Sequence, residues 1–239
     1  MSIVLEATGL AKTYQGEDGA AIDVLIGLDL AVARGEFVAI TGASGVGKST
    51  LLHCLGALDL PSLGTVRLDG IDLGTLGASG LAALRNRRIG FIFQFHHLLR
   101  EFSALENVMM PLLIAGRPES EARARATAAL TGMGLDHRLA HRPAKLSGGE
   151  QQRVAVARAV VIEPSIVLAD EPSGNLDAHN AERLHDLFAT LGQRFGTAVV
   201  VVTHNPSLAL RAHRVLSLLD GKLVPVEQFT APAPQRPSA

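Results

Sequence analysis

Thr41-Gly42-Ala43-Ser44-Gly45-Val46-Gly47-Lys48-Ser49-Thr50 decides the fold of this 239-residue chain. Before it runs Glu36-Phe37-Val38-Ala39-Ile40, a short apolar stretch of strand character. After it, Leu51-Leu52-His53-Cys54-Leu55-Gly56-Ala57-Leu58 reads as a buried helix. A strand, a glycine-rich turn ending in Gly-Lys-Ser and a helix make a phosphate-binding loop. Gly42, Gly45 and Gly47 let the backbone take positive φ and approach a ligand closely. The N–H groups of the loop and of the helix start then form a nest for a polyphosphate. Lys48 adds a cation at the β- and γ-phosphates, and the Ser49 hydroxyl is placed to ligate Mg²⁺. The bland alternative is a glycine-rich turn that binds nothing. It fails because strand, loop and helix all fall where the motif needs them. The loop indicates a nucleoside triphosphate but not its use.

Working outward, hydrophobic residues make up 47% of the chain and charged residues 19%, which suits a globular α/β protein. Lys and Arg total 22 against 23 Asp and Glu, a net charge of −1, so no strongly basic face points to nucleic acid. The local cluster Arg85, Arg87 and Arg88 reads as a solvated helix end. The single cysteine, Cys54, excludes an intrachain disulfide and fits a reducing compartment. It reads as a small buried hydrophobe in the helix after the loop. No stretch approaches the roughly 18 apolar residues of a membrane span. Met1–Glu6 lacks the pattern of a signal peptide. The expectation is a cytoplasmic protein, or one attached to a membrane only through a partner.

Taken in order, Ile3–Ala7 and Val24–Ala33 read as strands around the loop Gly16–Ala20, and Thr65–Leu68 as another. Residues 70–80 read as loop, then Leu81–Arg87 as helix, then Ile89–Phe93 as a strand ending at Gln94. From about 95 to 161 the character is helical. Ala104–Ala115 is expected to kink or split at Pro111. Pro118–Met133 has proline first, acids in its first turn and glycines at its end. A third helix runs from about Gly148 to Ile162. The α/β core resumes with strand Ser165–Ala169, helix Ala178–Phe195, and strands Ala198–Val202, Val215–Leu218 and Leu223–Val226. From 228 to 239 prolines among small residues read as a disordered tail. The expected architecture is one domain, 1–227, with a β-rich N-terminal lobe, a parallel-sheet core and an inserted helical subdomain.

Ser165-Ile166-Val167-Leu168-Ala169-Asp170-Glu171 supplies the other half of a nucleotide site. A buried strand ending in acids delivers one carboxylate, Asp170, to the metal. Neighbouring side chains on an extended segment point different ways, so Glu171 is left to face the γ-phosphate and polarise an attacking water. Leu146-Ser147-Gly148-Gly149-Glu150-Gln151-Gln152-Arg153 opens a helix with a serine and two glycines, a second anion site.

That string resembles the signature of ABC-type ATPases, and with it the resemblance covers about residues 3 to 226. In that family two ATP-binding domains dimerise head to tail, each ATP lying between one copy's phosphate loop and the other's signature. The resemblance implies ATP and Mg²⁺ as cofactors and a second copy of the chain as partner, with Ser147, Gly148, Gly149 and Glu150 on the partner's nucleotide. Gln94 resembles the glutamine that senses metal and water. Ser173-Gly174-Asn175-Leu176-Asp177 resembles the segment facing its counterpart across the dimer, and His204 the switch histidine at the γ-phosphate. Tyr14 becomes the adenine-stacking aromatic; without the resemblance it reads as a strand-edge packing residue. The catalytic set implied is Glu171, His204, Gln94 and Lys48, with Ser49, Gln94 and Asp170 on the metal.

Within the family, residues 93–99, 105–111, 135–138 and 141–143 look like the ATP-binding subunits of lipoprotein-releasing transporters. Related macrolide-export and cell-division complexes share the string Gly174-Asn175-Leu176-Asp177. The branch implies a peripheral ATPase on the cytoplasmic face of the inner membrane. There it would power two integral-membrane subunits that pass lipoproteins to a periplasmic chaperone. Val46, Arg100, Ser173 and Asn205 depart from the commoner serine, proline, threonine and aspartate, and none removes a catalytic group. Phe95, Leu98, Leu99, Phe102, Leu105, Met109 and Met110 offer apolar surface, part of it assigned to a groove for a membrane-subunit helix. His137 and His141, and likewise His96 and His97, read as solvated or contact-surface histidines rather than metal ligands. A P-loop kinase, or a soluble ABC ATPase acting on DNA or ribosomes, is the rival. The first has no use for the signature; the second resembles chains with a coiled-coil insert or tandem domains, which this chain lacks.

Overall fold

The computed structural model describes residues 2–16, 19–174 and 176–226. The tail expected at 228–239 lies outside them, as does Asn175. β1 (Ile3–Gln15) and β2 (Ala21–Ala33) form a long antiparallel ribbon, and β3 (Phe37–Thr41) leads through the glycine-rich loop into α1 (Lys48–Leu55). β4 (Leu63–Leu68) pairs with β1 and β5 (Ile71–Asp72) with β4, completing a four-stranded antiparallel sheet in the order β2-β1-β4-β5. This is the expected β-rich lobe, with longer strands. Gly9 takes φ 57° and the register with β2 slips between Ala7 and Leu10, so the two-residue alternation breaks halfway along β1. The stretch expected as loop from 70 to 80 also holds a strand. Asp69-Gly70, at φ 48° and 79°, is a two-residue hairpin turn that folds β5 back on β4.

The chain continues with α2 (Ala78–Arg88), β6 (Ile89–Ile92), α3 (Ala104–Ile114), α4 (Glu119–Gly132) and α5 (Gly148–Val160). After these come β7 (Ile166–Asp170), α6 (Ala178–Phe195), β8 (Ala198–Val202), α7 (Pro206–Ala209), β9 (Arg214–Leu219) and β10 (Lys222–Pro225). The second sheet has the order β10-β9-β3-β8-β7-β6. All its neighbours are parallel except β10, which returns antiparallel on β9, so the core sheet is mixed at one edge. Parallel pairing puts the C-terminal ends of β3, β6, β7 and β8 on one edge of the sheet. The segments leaving these strands therefore converge on that edge: the phosphate loop, Gln94, Glu171 and His204.

The apolar run of β8 is buried throughout, as a strand covered on both faces must be. Alternate residues go to opposite sides. Val38, Ile40, Leu168 and Val200 pack with Leu51 and Leu55 of α1 and with the antiparallel sheet. Val167, Val199 and Val201 pack with Leu184, Phe188 and Leu191 of α6 and Val156 of α5. A third cluster joins α3, α4 and α5 through Val108, Leu112, Ala126, Leu130, Val154 and Ala157. α5 thus belongs to both the helical part and the sheet core. Of the two outcomes expected at Pro111, a split does not occur: α3 runs through it. Pro111 removes one N–H from the helix, but Val108 and Leu112 on either side of it are fully buried and hold the turn together.

Candidate nucleotide site

Gly42, Gly45 and Gly47 take φ 153°, 78° and 105°. Gly47 has no room for a side chain either, since a Cβ would fall 2.6 Å from Val24. Lys48 Nζ reaches back along the loop and donates to the carbonyls of Gly42 and Ala43, at 2.9 and 2.8 Å. Ser49 Oγ donates to Asp170 Oδ2 at 2.7 Å. Above the loop opens a cavity of about 450 Å³, bounded by Lys48, Ser49, Gln94, His97, Asp170 and Glu171 among others. Ser44, Gly45 and Thr50 also line it, as do Phe93 and Phe95, which the sequence reading did not place there. Among the described residues no three His, Cys, Asp or Glu side chains group as a metal site. The Ser49 hydroxyl and Asp170 carboxylate are adjacent hard oxygens. They fit Mg²⁺, which takes its remaining ligands from phosphate and water.

Glu171 departs from the expected geometry. β7 ends at Asp170, and Glu171 is not extended but left-handed, at φ 42°. That turn, rather than strand alternation, separates its carboxylate from that of Asp170. Glu171 accepts hydrogen bonds from the His204 N–H at 3.0 and 3.2 Å and from Thr203 Oγ1 at 3.2 Å, and His204 Nδ1 lies 2.8 Å from Oε1. The Thr203 side chain is buried, which fixes this contact. Gln94 approaches from β6, close enough to Gly174 that a Cβ there would lie 3.2 Å from Gln94 Nε2.

The signature stretch does not face this cavity within one chain. Ser147 caps α5 by accepting from Glu150 N at 3.3 Å, while Glu150 Oε2 accepts from Ser147 N at 2.8 Å, a reciprocal capping box. Arg138 Nε donates to Glu150 Oε1 at 2.8 Å. The Ser147 N–H, with Arg138 adding to it, holds the Glu150 carboxyl below the ordinary carboxylate range. Glu150 is thereby a structural brace, while Ser147 and Gly148 stand exposed. Asp177, also exposed, caps α6 by accepting from Asn180 N at 2.9 Å. Tyr14 is not among the residues lining the cavity. At the end of β1 it interacts with the Thr50 side chain, donates to Asp59 Oδ2 at 2.8 Å, and carries Lys12 Nζ 4.9 Å from its ring centroid. Cys54 is buried, and that burial pushes its thiol up to about 11. His137 lies within a short 3-10 turn, Asp136–Arg138, and His141 lies beyond its end, so the α-helical metal spacing does not arise. His141 instead lies 3.3 Å from Arg138.

Beside the cavity, a groove of about 390 Å³ runs between α2, β6 and α3, with Asn86 Nδ2 donating to Pro111 O at 3.1 Å across it. Phe95, Leu99, Phe102 and Ile114 are exposed around the same subdomain. Met109 is buried and Leu98 and Leu105 pack on the helical core, so these three are interior.

The family model described as ABC transporter matches residues 25–174. The chain belongs to the ABC transporter family. Its curated relatives in that family include the lipoprotein-releasing system ATP-binding protein LolD of Geobacter metallireducens, 53% identical over 94% of this chain and 99% of that protein. LolD of Bordetella pertussis is 54% identical over 92% and 95%. Among solved structures of the family, the ATP-binding cassette MJ0796, in a dimeric post-hydrolysis state bound to ADP and Pi, matches with a TM-score of 0.87. It is 39% identical and covers 95% of this chain and 99% of that one. The cassette cbiO1 of the ABC transporter complex cbiONQ, from Clostridium perfringens, matches at 0.82 and 29% identity, over 94% and 88%. Among the described residues of this family member, no helix is long and apolar enough to cross a membrane.

Proposed function

We propose that this chain is the ATP-hydrolysing subunit of a lipoprotein-releasing ABC transporter, working as a head-to-tail pair. The observation that carries the ATPase is one cavity that gathers a phosphate loop, a cation (Lys48), a hydroxyl–carboxylate pair (Ser49 and Asp170), Gln94 and the turned carboxylate of Glu171. Ser147 and Gly148 stand exposed and, like Gly149, outside that cavity, which supports their serving the nucleotide of a second copy; the dimeric MJ0796 cassette is a precedent. In each site Lys48 and the loop N–H groups bind the phosphates, Ser49, Asp170 and Gln94 hold Mg²⁺, and Tyr14 stacks on adenine. Mg²⁺ supplies charge neutralisation of the phosphates when bound. Glu171 orients and deprotonates the attacking water, and His204, already against Glu171, contacts the γ-phosphate.

The domain spans 1–227, with the helical subdomain at about 95–161. The LolD relatives support lipoprotein release. In this reading two integral-membrane subunits are the partners, and the chain works on the cytoplasmic face of the inner membrane. The groove between α2, β6 and α3 takes a short amphipathic helix from those subunits; Phe93 lines both it and the nucleotide cavity, so nucleotide state and membrane subunit share one wall. The test is affinity purification of the tagged chain from detergent-solubilised membranes, followed by ATPase assay. Two co-purifying membrane subunits and free phosphate as product are expected. Transfer of phosphate to another acceptor would favour a kinase and overturn the reading.

A further inference from the structure

We infer that Gln152 is a positioning residue for the Glu171 carboxylate, acting from α5 through the carbonyl of Pro172. The inference rests on the reading of Glu171 as the base. Glu171 is held in a left-handed conformation that a glutamate rarely adopts, and such residues persist only where their surroundings over-determine them. Two backbone bonds pin it: Glu171 N donates to Val202 O at 2.9 Å, and Gly174 N donates to Glu171 O at 3.0 Å. The next peptide is fixed from outside the turn. Pro172 is buried and has no N–H of its own, and its carbonyl accepts from Gln152 Nε2 at 2.7 Å. Gln152 is 1% exposed, so this bond forms without competition from solvent.

The anchor of that bond is rigid. Val156, one turn further along α5, packs in the sheet core with Ala169, the residue two before Glu171. The neighbouring Arg153 donates to Asn180 Oδ1 at 2.8 Å, and Asn180 is bonded to Asp177. Gly149 on the same face approaches so closely that a Cβ there would fall 2.8 Å from Asn180 Cγ. Residues 149, 152 and 153 therefore fit α5 onto Pro172 and Asn180. The helix that begins at the signature aims the carboxylate of its own chain.

Gln152→Met keeps the volume and removes the donor. The expected result is a fall in kcat of about tenfold, the worth of one buried hydrogen bond, with KM for ATP unchanged. A merely structural loss has no reason to split kcat from KM in this way. In the Glu171→Gln background the same substitution should slow single-turnover hydrolysis no further, because the step it supports is already lost. Unchanged kcat, or an equal fold loss in both backgrounds, overturns the proposal. If Gln152→Met does not fold, Gln152→Asn is scored on the same readouts, its amide being one methylene too short to reach Pro172. Near wild-type turnover by Glu171→Gln alone would overturn the reading of the base instead. The two failures are distinct.

Discussion

Ser49 and Asp170 lie 121 residues apart in the chain and 2.7 Å apart in space. Both were legible in the sequence because each closes a local pattern, a glycine-rich turn in one case and a buried strand ending in an acid in the other. The direction of Glu171 was not. It depends on a left-handed residue one step past the strand, which alternation cannot foresee. Thr203 and Arg138, the partners of Glu171 and Glu150, were equally hidden, since only folding brings them near. Cys54 gives a prediction at this scale. Its buried thiol, pushed up to about 11, stays protonated at pH 8, and the thiolate is the reactive form. Iodoacetamide should leave the native protein unlabelled while the urea-unfolded chain reacts. Equal labelling rates in the two states would contradict the burial.

Among the elements, α5 carries most of the connections: it caps itself at Ser147, bridges the helical subdomain and the sheet, and holds the turn after β7 through Gln152. Its start was legible as a serine and two glycines opening a helix, whereas the capping box between Ser147 and Glu150 emerged only in the fold. Elsewhere, β5 was missed because the Asp69-Gly70 hairpin signal was absorbed into an apparent loop, and the length of β1 because its bulges break the period. The cap has a pH signature. The folded Glu150 carboxyl titrates below its unfolded value, so its contribution is fully present above the ordinary carboxylate range and is lost as pH falls from there through the lowered folded value. Glu150→Gln should therefore lower the thermal midpoint near neutral pH by a few degrees, roughly 1 kcal/mol, and the gap to wild type should close on acidification. A gap that widens in acid would contradict the sign. For the groove, whose lining includes Leu58 and Ile114 but neither Leu99 nor Phe102, Leu58→Gln or Ile114→Gln should weaken co-purification with the membrane subunits while ATPase of the isolated chain stays near normal. Both side chains are exposed, so little stability is at stake. Normal assembly and lipoprotein release by these variants would place the interface elsewhere.

For the whole molecule, parallel strands bring the phosphate loop, Gln94, Glu171 and His204 to one edge and leave Ser147 and Gly148 exposed outside the cavity. If the signature serves a second copy, a Lys48→Ala chain mixed with a Ser147→Arg chain should regain one complete site per heterodimer. The mixture should hydrolyse more ATP than either variant alone, and activity no higher than the separate variants would count against the shared site. The central claim is that this cavity hydrolyses ATP with Glu171 as its base. Steady-state phosphate release by Glu171→Gln tests it most directly. With ATP binding retained, turnover should fall about 10²–10⁴-fold, the usual worth of a general base, whereas phosphate release near the wild-type rate would contradict the account.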